Sequence, residues 1–150
     1  MLQQQYAAPV KPRIPTQAMT HLWRSLVKDP RAAVDAHFDA ITSAVLLDMG
    51  SRSTRVRESA TAALGDLLQG RTWAQLAAHL EAMWVMCFRA LDDLTEQVRG
   101  AALTCFKTLR NVTLRLADAS LSPSAAPEAL GVGVRVMLRQ GRCWLTTVKS

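Results

Sequence analysis

The sequence repeats itself at a spacing of 42 residues, and this internal repeat constrains the fold more than any other feature. Four columns of the self-alignment match in three copies: Ile14, Val56 and Val98; Ala18, Ala60 and Ala102; Leu22, Leu64 and Phe106; Ser25, Leu67 and Leu109. Six further columns match in two copies: Val34 and Leu76, His37 and His79, Phe38 and Leu80, Ile41 and Met83, Val45 and Cys87, Met49 and Leu91. A period of about 40–47 residues with two helices per unit is typical of HEAT and armadillo repeats.

Within each copy, apolar side chains recur at i, i+4, i+7 and i+11, which is the spacing of one helix face. The pattern predicts helices over 16–28, 33–49, 53–69, 73–91 and 95–117. A weaker helix is predicted over 125–140, with Leu130, Val134 and Met137 facing inward. No strand-like alternation and no hairpin signal occurs in the sequence. We therefore predict an all-α fold, an α-solenoid of stacked antiparallel HEAT-type helix pairs with about five or six helices, in which consecutive second helices lie side by side.

The same pattern divides the chain into four segments. Residues 1–13 are predicted to be irregular, and residues 14–118 to form the HEAT-type repeats of period 42. Residues 119–127 are predicted to be a linker, because they hold two prolines and three serines. Residues 128–150 are predicted to form an incomplete further repeat and a tail. Asp29-Pro30 favours a new helix start, and Gly70 is a candidate for the residue that ends a helix.

Two repeat arginines follow the valine that opens the second helix of a unit. Arg57 and Arg99 occupy this position, whereas the first copy has Pro15 there. In HEAT arrays an arginine here commonly reaches an acid in the turn between the helices of its own or a neighbouring repeat. We therefore interpret the arginines as stacking contacts, and Leu64 and Phe106 as one buried column. The predicted structural repeat positions are Val56, Arg57, Ala60, Leu64, Val98, Arg99, Ala102 and Phe106.

The sequence predicts no catalytic residue, no cofactor site and no metal site, and hence a protein that is not an enzyme. His37 and His79 share a repeat column, and the apolar residue after each takes the core position. We interpret both as surface or groove-edge histidines. Cys87 and Cys105 lie on apolar helix faces and are interpreted as small core residues. No Cys-x-x-Cys or His-x-x-x-His spacing occurs, so no zinc site is predicted.

The net charge of +6 lies at the two ends of the chain. Residues 1–28 and 135–150 each hold four basic and no acidic residues, while residues 29–134 hold ten basic and twelve acidic ones. A nucleic-acid surface needs a dense basic stripe on one face, so no nucleic-acid partner is predicted. No apolar run approaches about 18 residues, so no membrane insertion is predicted. Three widely spaced cysteines and the lack of a signal-peptide pattern favour a reduced, intracellular protein.

Several stretches carry a more specific resemblance: IPTQAMTHLWRSLVKDP (14–30), VRESATAALGDLLQGR (56–71) and MWVMCFRALDDLTEQVRGAALTCFKTL (83–109). In order and spacing they resemble the large HEAT-repeat proteasome adaptor and scaffold family that was first named extracellular mutant twenty-nine. The resemblance covers about residues 8–118 and, weakly, 125–141. Its most specific residues are Trp23, Arg57-Glu58-Ser59 and Asp92-Asp93. Gly65 departs from it, because the family usually carries a polar helix former there.

The resemblance implies a non-catalytic scaffold or adaptor that binds the 26S proteasome. Such a protein would bridge the core and regulatory particles, support assembly or quality control, and occur in the cytoplasm and nucleus. Because family members are several-fold longer, the chain is expected to be an internal fragment of a long solenoid. One alternative is a HEAT segment of another scaffold, such as a nuclear-transport receptor or a chromosome or translation scaffold. A small helical enzyme or nucleic-acid domain is a third reading, which would need a convergent polar set or one basic face.

Overall fold

The computed structural model describes residues 21, 25–121 and 125–140. Within them seven helices have defined bounds: α1 (Pro30–Ala36), α2 (Phe38–Asp48), α3 (Thr54–Leu67), α4 (Trp73–Leu76), α5 (Leu80–Leu91), α6 (Glu96–Ala117) and α7 (Glu128–Arg139). These described ranges contain no strand, so the all-α prediction is confirmed. The predictions for residues 1–13 and 141–150, and most of the predicted helix 16–28 with Trp23, lie outside the described residues.

The chain divides into two units, Met1–His37 and Phe38–Ser150. In the first unit, α1 begins where the Asp29-Pro30 pair predicts. The Asp29 carboxylate accepts a hydrogen bond from the Ala32 N–H at 3.1 Å and so caps the helix, and Pro30 occupies the first turn. Proline is well placed there because its missing N–H would have no partner within the helix. The second unit contains α2 to α7.

A histidine of the same repeat column interrupts two of the predicted helices. The helix predicted over 33–49 is split between Ala36 and Phe38, and the helix predicted over 73–91 is split between Leu76 and Leu80. His37 and His79 occupy these breaks, with φ near −119° and −111°. Both continuous-helix predictions are therefore wrong. Apolar spacing reports which side chains face the core, and it persists across a break in the backbone hydrogen bonds.

Helices α3 and α6 lie side by side and run in the same direction. At one end Arg57 of α3 pairs with Asp93, which precedes α6. At the other end Arg115 of α6 donates to the carbonyl oxygen of Arg71, which follows α3, at 2.7 Å. Helix α2 packs on α3 and α5 packs on α6, each joined to its partner by a short turn (49–53 and 92–95) that reverses the chain. The prediction of stacked antiparallel pairs is thus confirmed for α2/α3 and α5/α6.

The core of the second unit is apolar and aromatic. Leu64 is fully buried, and Phe106 in the same repeat column is 5% exposed. Trp84 stacks on Phe88 with ring centroids 5.5 Å apart and meets Phe106 edge-on at 5.8 Å. Aromatic pairs in these geometries stabilise a core beyond the area they bury. The chain turns after α3 at Gly70, whose φ of 71° lies in the left-handed region that glycine adopts without steric cost.

The inward face of α7 differs from the prediction by one residue. Leu130 and Val134, predicted to face inward, are 44% and 45% exposed, whereas Met137 is partly buried against the core as predicted. The helix buries Ala129, Gly133 and Val136. The cause is a close approach to Trp84, because a Cβ at position 133 would lie 3.3 Å from the indole ring. A glycine therefore serves as a core residue here, and its lack of a side chain concealed this from the apolar pattern.

Candidate interaction surface

Arg57 joins the two helix pairs at the turns that precede their second helices. Its Nε and Nη2 donate to the two carboxylate oxygens of Asp93 at 2.7 and 3.0 Å, a bidentate geometry. Its Nη1 donates to the carbonyl oxygens of Ser51 and Arg52 at 3.0 and 3.2 Å. The arginine is therefore held by the turn of its own repeat while it binds the acid in the turn of the next repeat.

Asp93 completes this link on the side of the second pair. Its Oδ1 also accepts from the Thr95 N–H at 2.9 Å, immediately before α6 begins. The hydrogen bonds from Arg57, with a smaller contribution from the Thr95 N–H, hold the pKa of Asp93 below its usual range. The carboxylate thus remains ionised through the neutral range, and we call the Arg57–Asp93 contact the rung.

Arg99 has the same backbone contacts as Arg57 but no acid. Its Nη1 donates to the carbonyl oxygens of Asp93 and Leu94 at 2.8 and 3.1 Å, six and five residues earlier in the chain. Arg57 reaches its own turn at the same two separations. Within the described part of the chain Arg99 makes no ion pair. Its Nε and Nη2 therefore have no carboxylate partner among the residues that the structure describes.

The side of α3 that carries Arg57 is covered along its length. Thr61 and Leu68, one and three turns further along the same face, are fully buried. Gly65 lies between them, and a Cβ at this position would meet the Cα of Cys105 in α6 at 3.7 Å. This face has one cation, which is paired, and otherwise small or apolar residues. Such a composition suits direct contact with another helix.

The equivalent face of α6 is open and has a different composition. At about 100° per residue, its residues lie within roughly 80° of one another around the helix. Leu103 and Leu114 on this face are 47% and 49% exposed, and its three cations are exposed as well. Glu96 lies at its N-terminal edge. We call this surface the Arg99 face, and its members are Arg99, Leu103, Lys107, Arg110 and Leu114.

The remaining repeat positions lie on other sides of the same helices. Val98 and Ala102 are buried on α6, and Ala60 is buried on α3. Val56, in contrast, is 36% exposed. It lines a shallow groove between α2 and α3, together with Val45, Asp48, Arg55, Ser59, Ala60 and Ala63. Membership of one repeat column therefore does not give Val56 and Val98 the same environment.

Comparison with known proteins finds relatives over most of the chain. The human proteasome adapter and scaffold protein ECM29 is 39% identical over 102 residues, which are 68% of this chain and 6% of that protein. The proteasome component ecm29 of Schizosaccharomyces pombe is 31% identical over 121 residues, 81% of this chain and 7% of that protein. The proteasome component ECM29 of Saccharomyces cerevisiae is 26% identical over 117 residues, 77% of this chain and 6% of that protein.

By sequence, the chain is a relative of the ECM29 proteasome scaffold proteins. The resemblance drawn from the sequence motifs is thereby confirmed. The chain spans only 6–7% of the length of these ECM29 relatives. No protein-family model and no solved structure matches it.

The names of these ECM29 relatives describe a scaffold, an adapter or a component, and none of them names a reaction. The histidines and cysteines fit that description. His79 is half-buried, and its Nε2 lies 2.8 Å from an Asp39 carboxylate oxygen, which joins α5 to α2. Cys87 and Cys105 are buried free thiols. Hydrogen bonding to Cys105, together with burial, raises the pKa of the Cys87 thiol, so this thiol is not a candidate nucleophile.

The described residues of this ECM29-like segment contain no group of three or more His, Cys, Asp or Glu side chains placed to hold a metal ion. None of their helices is both long and apolar enough to cross a membrane.

Sequence reasoning found Arg57 but missed the Arg99 face of this ECM29 relative. The repeat alignment placed Arg57 and Arg99 in one column and anticipated an acidic partner in an inter-helix turn, as the rung shows. A repeat column does not show whether each arginine in it has its own acid. The acid of the rung lies 36 residues after its arginine, and the same step from Arg99 leads to Arg135. That mismatch in the sequence is the signal that could have revealed the open face.

Proposed function

We propose that this chain is a non-catalytic scaffold segment that associates with the 26S proteasome. The observation that carries the proposal is the match of 68–81% of the chain to three proteins named as proteasome components or adapters. In its finer form, the proposal is that the segment helps to bridge the core and regulatory particles and supports assembly or quality control. Its site of action is then the cytoplasm and the nucleus.

The fold supports a role in binding rather than in chemistry. Two helix pairs are joined by the packing of α3 on α6 and by the rung, so their side chains are presented on a fixed frame. Stacked helical repeats create extended surfaces that suit large protein partners. The Arg99 face and the groove at Val56 are two such surfaces, and each is lined by side chains without a paired acid–base arrangement.

The test is affinity purification of the tagged full chain from cells under gentle, ATP-containing conditions. The eluate is probed for subunits of the core particle and of the regulatory particle. We expect recovery of both above a tag-only control. The variant Leu64→Asp provides a matched control, because a charge in a fully buried position disrupts the core and should abolish recovery.

Two outcomes would contradict the proposal. If no proteasome subunit is recovered and another complex is, the chain is a HEAT scaffold of that complex, such as a nuclear-transport, chromosome or translation assembly. If the Leu64→Asp variant recovers proteasomes as well as the wild type, the capture does not depend on the fold. The proposed location is tested separately by fractionation, with the chain expected in both the cytoplasmic and the nuclear fractions.

A further inference from the structure

A polar groove lies where the C-terminal end of α3 meets α6. It has a volume of about 250 Å³, and we call it the amide groove after two of its lining residues, which are Gln69, Thr108, Asn111, Val112 and Arg115. Gln69 follows α3, and the other four side chains belong to α6. Both walls come from successive repeats, so the groove is created by the stacking of α6 on α3.

The amide groove is separate from the core and from the Arg99 face. At about 100° per residue, Asn111 lies about 140° around α6 from Phe106 and about 120° from Arg99. Phe106 is buried, whereas Asn111 and Gln69 are exposed. The core therefore lies on one side of α6, the Arg99 face on a second side and the groove on a third. Covering the Arg99 face with another helix would leave the groove open.

The two amide side chains of the groove belong to one repeat column. Asn111 comes 42 residues after Gln69, so each helix pair contributes one primary amide. A primary amide has N–H donors and an acceptor oxygen, which together match the C=O and N–H groups of a peptide backbone. The Asn111 oxygen accepts from Arg110 at 3.4 Å, which leaves its N–H groups as donors. The Thr108 hydroxyl donates to the Thr104 carbonyl oxygen at 3.2 Å, so its oxygen can still accept.

The spacing of the amides suits an extended chain that crosses from one repeat to the next. Packed helices lie about 8–10 Å apart, and an extended chain advances about 3.3 Å per residue. About three residues therefore cover the step between equivalent helices. A helical partner would not use the amides, because its own N–H and C=O groups are bonded within the helix. Val112 is the one apolar lining residue and is only 7% exposed, so the groove offers no hydrophobic anchor.

Arg115 defines the charge that the groove accepts. Its Nη2 donates to the Arg71 carbonyl oxygen at 2.7 Å, which holds the guanidinium against the groove. Within the described part of the chain Arg115 has no carboxylate partner. Arginine binds carboxylates strongly because it can donate two parallel N–H bonds to them. Asp66 is exposed one turn before Gln69 and would repel a run of acids, so a single acidic residue is the better match.

We propose that the amide groove binds an extended segment of a partner protein that carries one acidic residue. The amides of Gln69 and Asn111 pair with peptide groups about three residues apart, and the acidic side chain binds Arg115. The repeat column thus sets the spacing along the bound segment, and the arginine sets its register. Residues 1–28 and 141–150 of this chain contain no acidic residue, so neither segment provides the carboxylate.

The experiment measures binding of three labelled peptides to the full chain by fluorescence anisotropy. Each peptide alternates Thr and Val, which favours an extended backbone. The first has a central Glu, the second has Lys in its place, and the third keeps Glu but has methyl groups on two backbone nitrogens three residues apart. We expect the Glu peptide to bind about ten-fold more tightly than the Lys peptide, because the charge pair with Arg115 is lost. It should also bind about ten-fold more tightly than the methylated peptide, which lacks two donors.

Variants of the groove separate its two parts. The double variant Gln69→Met/Asn111→Leu removes both amides at exposed positions while nearly keeping side-chain size. It should weaken binding of the Glu peptide about ten-fold and reduce its advantage over the methylated peptide to below about three-fold. Arg115→Gln should remove the preference for Glu over Lys. Gln97→Met is the matched control, because Gln97 is an exposed amide of α6 outside the groove, and its affinity should change by less than about two-fold.

Nuclear magnetic resonance locates the binding site. Adding the Glu peptide should shift the side-chain amide signals of Gln69 and Asn111, while that of Gln97 stays in place. Shifts centred on the Arg99 face or on the groove at Val56 would overturn the proposal.

Four further results would also overturn the proposal. They are the absence of binding by the Glu peptide, equal affinity for the Glu and methylated peptides, equal affinity for the Glu and Lys peptides, and unchanged affinity of the double variant. Tighter binding of an alanine-rich helical peptide with the same Glu would make a helix the occupant instead. Circular dichroism establishes that each variant remains folded. The assay contains no proteasome, so its failure is distinct from a failure of the proposed function.

Discussion

Helices α3 and α6 occupy the same position in successive repeats. The face of α3 that carries Arg57 and the Arg99 face of α6 are equivalent in the repeat, but they differ in composition and in what covers them. On α3 the face is buried beneath α6, and its only cation is bound by Asp93. On α6 the face is open, and it carries three cations and two leucines. In both helices the arginine donates to the carbonyl oxygen of the equivalent residue in the preceding turn. The contrast teaches that the repeat determines how the arginine is held, while the residues around it determine what it binds.

The largest expected effect comes from shortening the buried side chains of the repeat column that contains Leu64 and Phe106. Leu64→Ala and Phe106→Ala should each lower the free energy of unfolding by about 2–5 kcal/mol, because each leaves a cavity in a packed interior. Urea denaturation followed by circular dichroism measures the change. A loss below about 0.5 kcal/mol for either variant would show that the column is not equivalently buried in the two repeats.

The next largest expected effect compares the face of α3 that carries Arg57 with the Arg99 face of α6. Leu68, directly after the last residue of α3, is fully buried, and its counterpart 42 residues later is the exposed Arg110. Leu68→Ala should lower the free energy of unfolding by at least about 2 kcal/mol. Arg110→Ala, measured in the same way, should change it by less than about 0.5 kcal/mol. An equal loss of unfolding free energy in the two variants would mean that the two faces are covered to the same extent. That result would contradict the difference between α3 and α6.

A smaller effect tests how closely α6 approaches α3. Gly65→Lys places at position 65 the residue found at the equivalent position 107, and it should destabilise the fold by about 1–3 kcal/mol through overpacking. Gly65→Ala is the control. Its Cβ would meet Cys105 at an ordinary contact distance, so the gain in helix propensity should stabilise the fold by about 0.5–1 kcal/mol. A lysine variant more stable than the alanine variant would contradict the coverage of α3 by α6.

The smallest effect concerns the rung and its dependence on pH. Because Arg57 lowers the pKa of Asp93 in the folded protein, the ionised carboxylate stabilises the fold above its ordinary pKa of about 3.9. This contribution is lost as the pH falls through the lower folded value. The stability difference between wild type and Asp93→Asn should therefore be constant near neutral pH and shrink below about pH 4. Arg99→Gln should show no such difference at any pH, and a pH-dependent difference for it would indicate that Arg99 already has an acid.

The helices were predictable to different degrees. The bounds predicted for α3, α6 and α7 lie within three residues of those in the structure, since each has a long apolar stripe and a marked start or end. The breaks at His37 and His79 were not predicted, because the core residue after each histidine preserves the apolar spacing across the break. Leu130 and Val134 of α7 were assigned inward incorrectly because the pattern counts side chains, and Gly133 contributes none.

What the sequence by itself determined is the all-α class, the 42-residue repeat, the pairing of helices and the relationship to proteasome scaffold proteins. These depend on periodicity and residue order, which a chain carries without folding. Only the tertiary structure decided which carboxylate Arg57 binds, how closely α7 approaches Trp84, and that the face of α6 is open while that of α3 is covered. The reason is physical: hydrogen-bond geometry, close packing and exposure depend on distances between residues that are far apart in the sequence, and a repeat column defines equivalent positions without defining their neighbours.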